Sequence, residues 1–431
     1  MKKLLATAVA IGLIGMTGQA VAITDNEANA SLPFNFSNPG ARAMGMGGAF
    51  LGLSDDASAA YTNPAGLTQL VSPEIALEIR YTDTNTRWLD GGNVQYNPFN
   101  SSGLNYSSQD DGTTSMPFFS FVYPGERMSF AFYRYEMLNY DTEFQSAGAT
   151  WTTGDGNNSG IIFPYDVNGS LEIETYGAAM GYKVNDQFSL GLGINYYLLD
   201  ISSATDRFPP GDQIGVREAA VNGDGGWGFN LGARWVATEW MSIGLSWRYA
   251  PELNYDAVLS TRTDPGISFT TGTEMNVPDV FGIGFSFRAS DAWIINFDVN
   301  RVFYGQITDD ITSVFDSNQA TDLDPLKLDD GTEVHLGTEY TFATTYPVSV
   351  RVGAWYDPAH EMVYQGTPPD TNFSQPPGLP PVNAAIFSSG HGSQTHYTFG
   401  AGMAFSNFQI DLGADFADSN DMYSLSGVYR F

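Results

Sequence analysis

Beyond residue 72, apolar and polar side chains alternate with a period of two, in segments about ten residues long. The clearest is 187–201, where Phe188, Leu190, Leu192, Ile194, Tyr196 and Leu198 share one face. Ser189, Gly191, Gly193 and Asn195 share the other. Similar faces are Trp227, Phe229, Leu231, Ala233, Trp235, then Met241, Ile243, Leu245, Trp247, Tyr249, and later Phe408, Ile410, Leu412, Ala414, Phe416. Dyad alternation with an aromatic-rich apolar side suits strands of a closed membrane barrel, with lipid on one face and water or ligand on the other. No segment reaches the roughly 18 uninterrupted apolar residues of a membrane helix. Only helices and closed barrels satisfy every backbone group in lipid, so a membrane reading means a barrel.

The alternation predicts fourteen strands, near 73–83, 115–123, 127–138, 170–184, 187–201, 225–237, 240–250, 278–289, 291–304, 332–343, 347–357, 395–406, 408–417 and 421–431. Their connections alternate in length. Tight turns fall at Pro124-Gly-Glu126, Asn185-Asp186, Thr238-Glu239, Ser290-Asp291, Thr344–Tyr346 and Ser406-Asn407. Long segments fall at 84–114, 139–169, 202–224, 251–277, 305–331 and 358–394. Short periplasmic turns and long external loops are the habit of outer-membrane barrels, and an even strand count brings both barrel ends to the periplasmic side.

The N-terminus fits that compartment. Lys2 and Lys3, an apolar run from Leu4 to Gly15 and the small-residue site Ala20-Val-Ala22 predict a secretory signal peptide over 1–22, with the mature chain starting at Ile23. There are no cysteines, so disulfides and thiolate metal sites are excluded. A net charge of −30 argues against nucleic acid as a partner. Acids gather in the predicted loops (Asp110-Asp111, Asp309-Asp310, Asp322 to Asp330), either as solvated surface or as cation bridges to lipopolysaccharide.

Residues 23–72 do not alternate. They carry Gly40-Ala-Arg-Ala-Met-Gly-Met-Gly-Gly-Ala-Phe50 and Ser54-Asp-Asp-Ala-Ser-Ala-Ala-Tyr-Thr-Asn-Pro-Ala-Gly-Leu67. Small residues let backbone approach backbone. Ser54 or Asp55 is expected to cap a helix from Asp56 to Tyr61, ended by Asn63-Pro64. The segment is compact enough to sit inside a barrel as a plug; a periplasmic tail is the alternative.

The run G-A-R-A-x-G-x-G-G-A-F followed by S-D-D-A-S-A-A-Y-x-N-P-A-G-L resembles the N-terminal hatch of FadL-type transporters, outer-membrane channels for long-chain fatty acids and, in relatives, aromatic hydrocarbons. A chain ending on an alternating strand with a terminal Phe also resembles outer-membrane proteins. The resemblance implies an all-β transmembrane fold, a 14-stranded antiparallel outer-membrane β-barrel with a hatch in its lumen. The expected division is 1–22 signal peptide, 23–72 hatch and 73–431 barrel. It also implies that Asn63, Pro64 and Ala65 lie near a kink in the third strand that opens sideways to the membrane.

The third strand supplies its own reason for a kink. Met128, Phe130 and Phe132 set its lipid face, and the same parity would put Arg134 and Glu136 in lipid. A mid-bilayer Arg costs about 2–4 kcal/mol. A bulge near Phe132–Arg134 would turn both charges inward. The alternative is that Arg134 already lies at the outer interface. At ~2.4 Å of height per residue it stands roughly 16 Å above Arg127, inside a band about 25 Å tall, which favours the bulge.

Inward parity falls on Arg80, Arg234, Arg248, Arg288 and Arg351, with Glu78, Asp298, Glu339, Asp411 and Asp415 as partners. Arg248, toward the outer end of an ascending strand, leads as the group to meet a ligand carboxylate, with Arg134 second. Ile161-Ile162-Phe163-Pro164 and Pro376–Val382, with Ala385 and Ile386, are apolar loop patches suited to capture. Barrel lipases need an activated Ser with a His base, and nothing around His335, His360, His391 and His396 has that form; His391-x-x-x-x-His396 lacks a third metal ligand. An open porin would want an unplugged lumen. The reading is a non-enzymatic, cofactor-free and metal-free monomer in the outer membrane of a Gram-negative bacterium. It passively takes up a hydrophobic molecule, a long-chain fatty acid first, and releases it sideways. Alternatives are an alkane or aromatic channel, or a structural barrel of a protein secretion system.

Overall fold

A computed structural model describes residues 34, 36–96, 103–153, 159–208, 215–262, 268–308, 326–360, 363–364 and 392–431. The signal peptide, His391 and the patch Pro376–Val382 with Ala385 and Ile386 lie outside the described residues.

Fourteen long strands form the wall: β1 Glu74–Tyr96, β2 Leu104–Tyr123, β3 Met128–Ser146, β4 Tyr165–Lys183, β5 Phe188–Arg207, β6 Gly225–Thr238 and β7 Met241–Tyr249. They continue as β8 Val280–Ser290, β9 Trp293–Val302, β10 Gly331–Phe342, β11 Val348–Asp357, β12 Gln394–Ala404, β13 Phe408–Phe416 and β14 Asn420–Arg430. Each pairs antiparallel with its sequence neighbour. β14 pairs back onto β1, from Arg430 opposite Glu74 to Asn420 opposite Thr84, and the ring is closed. Closure leaves no free sheet edge in lipid.

The wall is inside out relative to a soluble protein. On β5, Leu190, Leu192 and Ile194 are exposed while Ser189 and Asn195 are buried. Tyr176, Tyr196 and Trp227 align across β4–β6 as an outward aromatic row, with Tyr196 and Trp227 rings 4.9 Å apart. That row marks the outer membrane interface.

The predicted strands are all present, but the long connections are not plain loops. β1 to β5 run on by up to thirteen residues beyond their expected outer ends, so Asp110-Asp111 lies within β2. Further short strands, such as Glu252–Thr261 paired with Ser268–Asn276, extend the sheet outward. Above the membrane the outward face is polar, so the apolar alternation reverses and points inward, as at Leu253, Tyr255, Ala257 and Leu259, and is diluted by Thr, Ser and Asn.

The N-terminal segment packs inside the ring. It contains α1 Ala41–Met44, α2 Ala59–Thr62 and a 3-10 turn, Pro64–Gln69. The helix starts three residues later than predicted because Asp56, not Ser54 or Asp55, takes the Ser58 N–H at 2.9 Å. Ser54 instead sits at φ 39°, its hydroxyl donating to the Phe50 and Leu51 carbonyls. Glycines on both partners let backbone meet backbone: a Cβ on Gly191 would lie 2.2 Å from the Ala65 nitrogen. One on Gly45 would lie 2.8 Å from the Cα of Gly400.

Candidate functional site: a luminal cavity and an unladdered seam

The β2–β3 ladder is the short one. It holds six residue pairs, from Tyr123 opposite Phe130 to Phe118 opposite Tyr135, and then stops. Both strands change phase at that point. On β3, Ser129, Ala131, Tyr133 and Tyr135 are buried below, and Leu138, Tyr140, Thr142 and Phe144 above, with the register shift between Glu136 and Leu138. On β2 the shift falls at Met116-Pro117, where Pro117 has no N–H to give a ladder. Opposed bulges steer the strands apart. Higher up, side chains bridge them again: Thr142 donates to Asp111 at 3.0 Å and Gln109 to the Glu143 carbonyl at 2.8 Å. Between these points no backbone ladder joins the two strands among the described residues, and this unladdered stretch is the slot.

The bulge therefore sits at Glu136–Leu138 and not at Phe132–Arg134 as expected, and Arg134 keeps its outward parity. It is tolerated because Arg134 stands opposite Tyr176, in the interfacial row, rather than in mid-bilayer. Its guanidinium reaches Glu136 at 3.2 Å, Glu172 at 3.6 Å, the Glu174 carboxylate, and the Met116 carbonyl across the seam. Phe132 faces outward below the slot, 64 % exposed.

The other expected site residues lie elsewhere. Asn63 donates to the Leu51 and Ala233 carbonyls and accepts from the Ala65 N–H, capping the 3-10 turn. With Pro64 and Ala65 it sits against glycines of β4, β5 and β6, not at the β3 bulge. Tyr61 and Ser37 of this segment meet β3, the Tyr61 ring 4.2 Å from that of Tyr135 and the Ser37 carbonyl accepting from the Tyr135 hydroxyl at 3.0 Å. Arg248 is buried over the Tyr61 ring at 4.8 Å and donates to the Phe36 carbonyl at 3.3 Å. It ties the segment to β7. Arg351 pairs with Glu339 and Asp411, and Arg80 with Glu78. Asp298 accepts the Phe50 and Leu51 N–H groups at 2.6 and 2.8 Å. Asp415 takes His396. Arg288, by contrast, is exposed at the periplasmic end, and Arg234 is half-buried.

Above the N-terminal segment the lumen holds a cavity of about 130 Å³. One side is Pro117, Glu136, Met137 and Leu138, at the slot. The far side is His335, Trp355 and His396, with Phe34, Phe36 and Tyr304 between. The aromatic groups chain together: Phe34 on Phe36 at 5.6 Å, Phe36 on Tyr304 at 5.8 Å, Tyr304 on His360 at 4.6 Å. His360 lies beyond the end of β11. Burial by itself would lower its pKa, but a hydrogen bond and charge attraction from Asp357 outweigh this and raise it to about 9. The sequence reading passed over His335, Trp355 and His396; their inward parity, shared with Glu339 and Arg351, was the available signal.

A closed antiparallel barrel with an outward apolar band, an aromatic interface row and a luminal N-terminal segment defines a bacterial outer-membrane channel protein. A family profile described as "Outer membrane protein transport protein (OMPP1/FadL/TodX)" matches residues 20–365. The chain belongs to that family. Among solved structures it is similar to a FadL homologue of Pseudomonas aeruginosa (TM-score 0.64, 14 % identity, 93 % of this chain and 99 % of that one). It is also similar to the toluene transporter TbuX of Ralstonia pickettii (0.58, 15 %, 92 % and 99 %). A third relative is the CymD monoaromatic hydrocarbon channel (0.56, 17 %, 92 % and 99 %). At these identities the likeness speaks for the fold. A comparison with curated proteins returns no match.

Proposed function

We propose that this protein is a passive channel for small, uncharged hydrophobic compounds, which leave the lumen sideways between β2 and β3. The observation that carries the reading is the continuity of the luminal cavity with the seam where that ladder stops. The N-terminal segment acts as the hatch, closing the direct route to the periplasm. Arg134 acts as a latch at the lower corner of the slot, above the lipid-facing Phe132, and Asn63-Pro64-Ala65 anchors the hatch.

An uncharged cargo fits better than a fatty acid. Arg248 is engaged with Tyr61 and Phe36, and Arg80 with Glu78, while Glu136, Glu333 and Asp357 line the cavity. Three carboxylates line the cavity against one guanidinium, Arg80, which is paired with Glu78 and keeps only its Nη1 unpartnered among the described residues, so an added carboxylate would meet mainly acceptors. The cavity also has the scale of one ring: apolar cavities of about 150 Å³ take benzene.

The chain has no cysteine, so the slot can be closed specifically. Thr113→Cys and Asn139→Cys place thiols on the two walls, both facing the cavity. A short reducible dithiol cross-linker is expected to stop uptake of labelled toluene into liposomes, with recovery on reduction. Uptake indifferent to the cross-link would exclude the lateral route. Uptake of neither toluene nor a long-chain fatty acid by the unmodified protein would instead favour a structural role.

A further inference from the structure

The far wall of the cavity, across the lumen from the slot, is built from a side-chain row on three neighbouring strands. The register sets His335 opposite Trp355 and Trp355 opposite His396. Their rings stack, His335 to Trp355 at 5.2 Å and Trp355 to His396 at 3.8 Å. Asp415 fixes the last two: it accepts from the Trp355 Nε1–H at 2.9 Å and from His396 Nδ1 at 2.8 Å. Asp415 is almost fully buried, so these bonds hold both rings in one orientation.

That orientation leaves one polar atom without a partner. His396 Nε2 is buried and makes no hydrogen bond among the described residues. It faces Asp357 Oδ2 at 4.0 Å, too far for a bond between them. The other Asp357 oxygen lies 3.3 Å from His360 Nδ1. A buried polar atom with no protein partner costs free energy unless a water or a ligand group satisfies it. An oxygen about 2.8 Å from both His396 Nε2 and Asp357 Oδ2 would satisfy the spacing.

The two groups select the chemistry of that oxygen. Asp357 only accepts. His396, with Nδ1–H given to Asp415, accepts at Nε2 when neutral and donates there when protonated. A hydroxyl meets the protonated arrangement in full, accepting from His396 Nε2–H while donating to Asp357, and in the neutral one it donates its single proton to one of the two acceptors. A hydrocarbon offers nothing, and a carboxylate meets Asp357 and the neighbouring Glu333, both acceptors. The aromatic lining groups Phe34, Phe36 and Tyr304 and the size of the cavity suit one aromatic ring.

We infer that His396 and Asp357 form a recognition site for the hydroxyl group of a small phenol-class compound held in the lumen. Asp415 is the positioning residue that aims His396. The inference rests on the channel reading and names its cargo more narrowly.

The test is calorimetric titration of the purified full-length barrel in detergent with p-cresol and with toluene, beside liposome uptake of both. Wild type is expected to bind p-cresol at least about ten-fold more tightly than toluene, because a site with unpaired polar groups discriminates against the analogue lacking the partner. His396→Phe keeps a ring on Trp355 and should erase that preference by weakening p-cresol binding. Asp357→Asn, a near-isosteric change, should reduce it, and guards against a folding defect in the first variant. Equal wild-type affinities for the two compounds, or a preference that survives His396→Phe, would overturn the inference with the channel reading intact. Failure of both compounds to bind and enter would overturn both.

Discussion

Arg134 donates to the main-chain carbonyl of Met116, spanning the seam just below the point where the β2–β3 ladder ends. One side chain on one strand thus holds the other strand at its bulge. The same guanidinium is neutralised by Glu174 and Glu136, so its position is over-determined by charge.

Arg134→Ala should loosen that corner. Charge-assisted hydrogen bonds contribute about 1.5–3 kcal/mol each, and the partly exposed setting puts this one toward the lower end. Hydrogen exchange in peptides covering 112–118 is expected to speed up about ten-fold, and hydrocarbon uptake to rise. Unchanged exchange there would remove Arg134 from the gating account.

Asp298→Ala tests what seats the hatch. The carboxylate accepts two buried N–H groups, from Phe50 and Leu51. Removing it leaves both unsatisfied, at about 1–3 kcal/mol each. New protease cleavage between residues 40 and 60, with the barrel core intact on a gel, is the expected outcome.

Arg248→Ala should act on the hatch and not on ligand charge. Its loss uncovers Tyr61 and frees the Phe36 carbonyl. Fatty-acid and hydrocarbon uptake are expected to change by the same factor. A selective loss of fatty-acid uptake would return Arg248 to the role of carboxylate receptor.

His360 gives a pH signature. Its folded pKa, about 9, lies above the usual 6.5. A raised value means stabilisation that is complete below about 6.5 and lost as pH rises through 9. The groups facing it are Asp357, Glu333 and the ring of Tyr304. Exchange protection of residues 326–364 should therefore fall between pH 7 and 10, and His360→Phe should flatten the profile.

The wall was legible because lipid and lumen impose opposite chemistry on successive residues, as Leu190 and Ser189 illustrate. The N-terminal segment stood out as a motif, although Asn63 could not be placed against β4–β6 without the register. The bulge was inferred from Arg134 for the wrong reason: the charge sits at the interface, and the phase actually changes at Met137. An absent ladder leaves no residue pattern at all. The His335–Trp355–His396 row was hidden for a related cause, since three residues that stack in space are separated by 20 and 41 positions in the chain.

Unpaired backbone groups in the slot also fix how deep it can lie. In hydrocarbon each would cost several kcal/mol, and near the headgroups water can solvate them. The slot begins just above the row of Tyr176, Tyr196 and Trp227. On the lateral route proposed above, backbone solvation rather than any feature of the cargo would set the level of delivery: molecules leaving there would arrive at the outer-leaflet boundary, where a hydroxyl can stay wet while its ring dissolves.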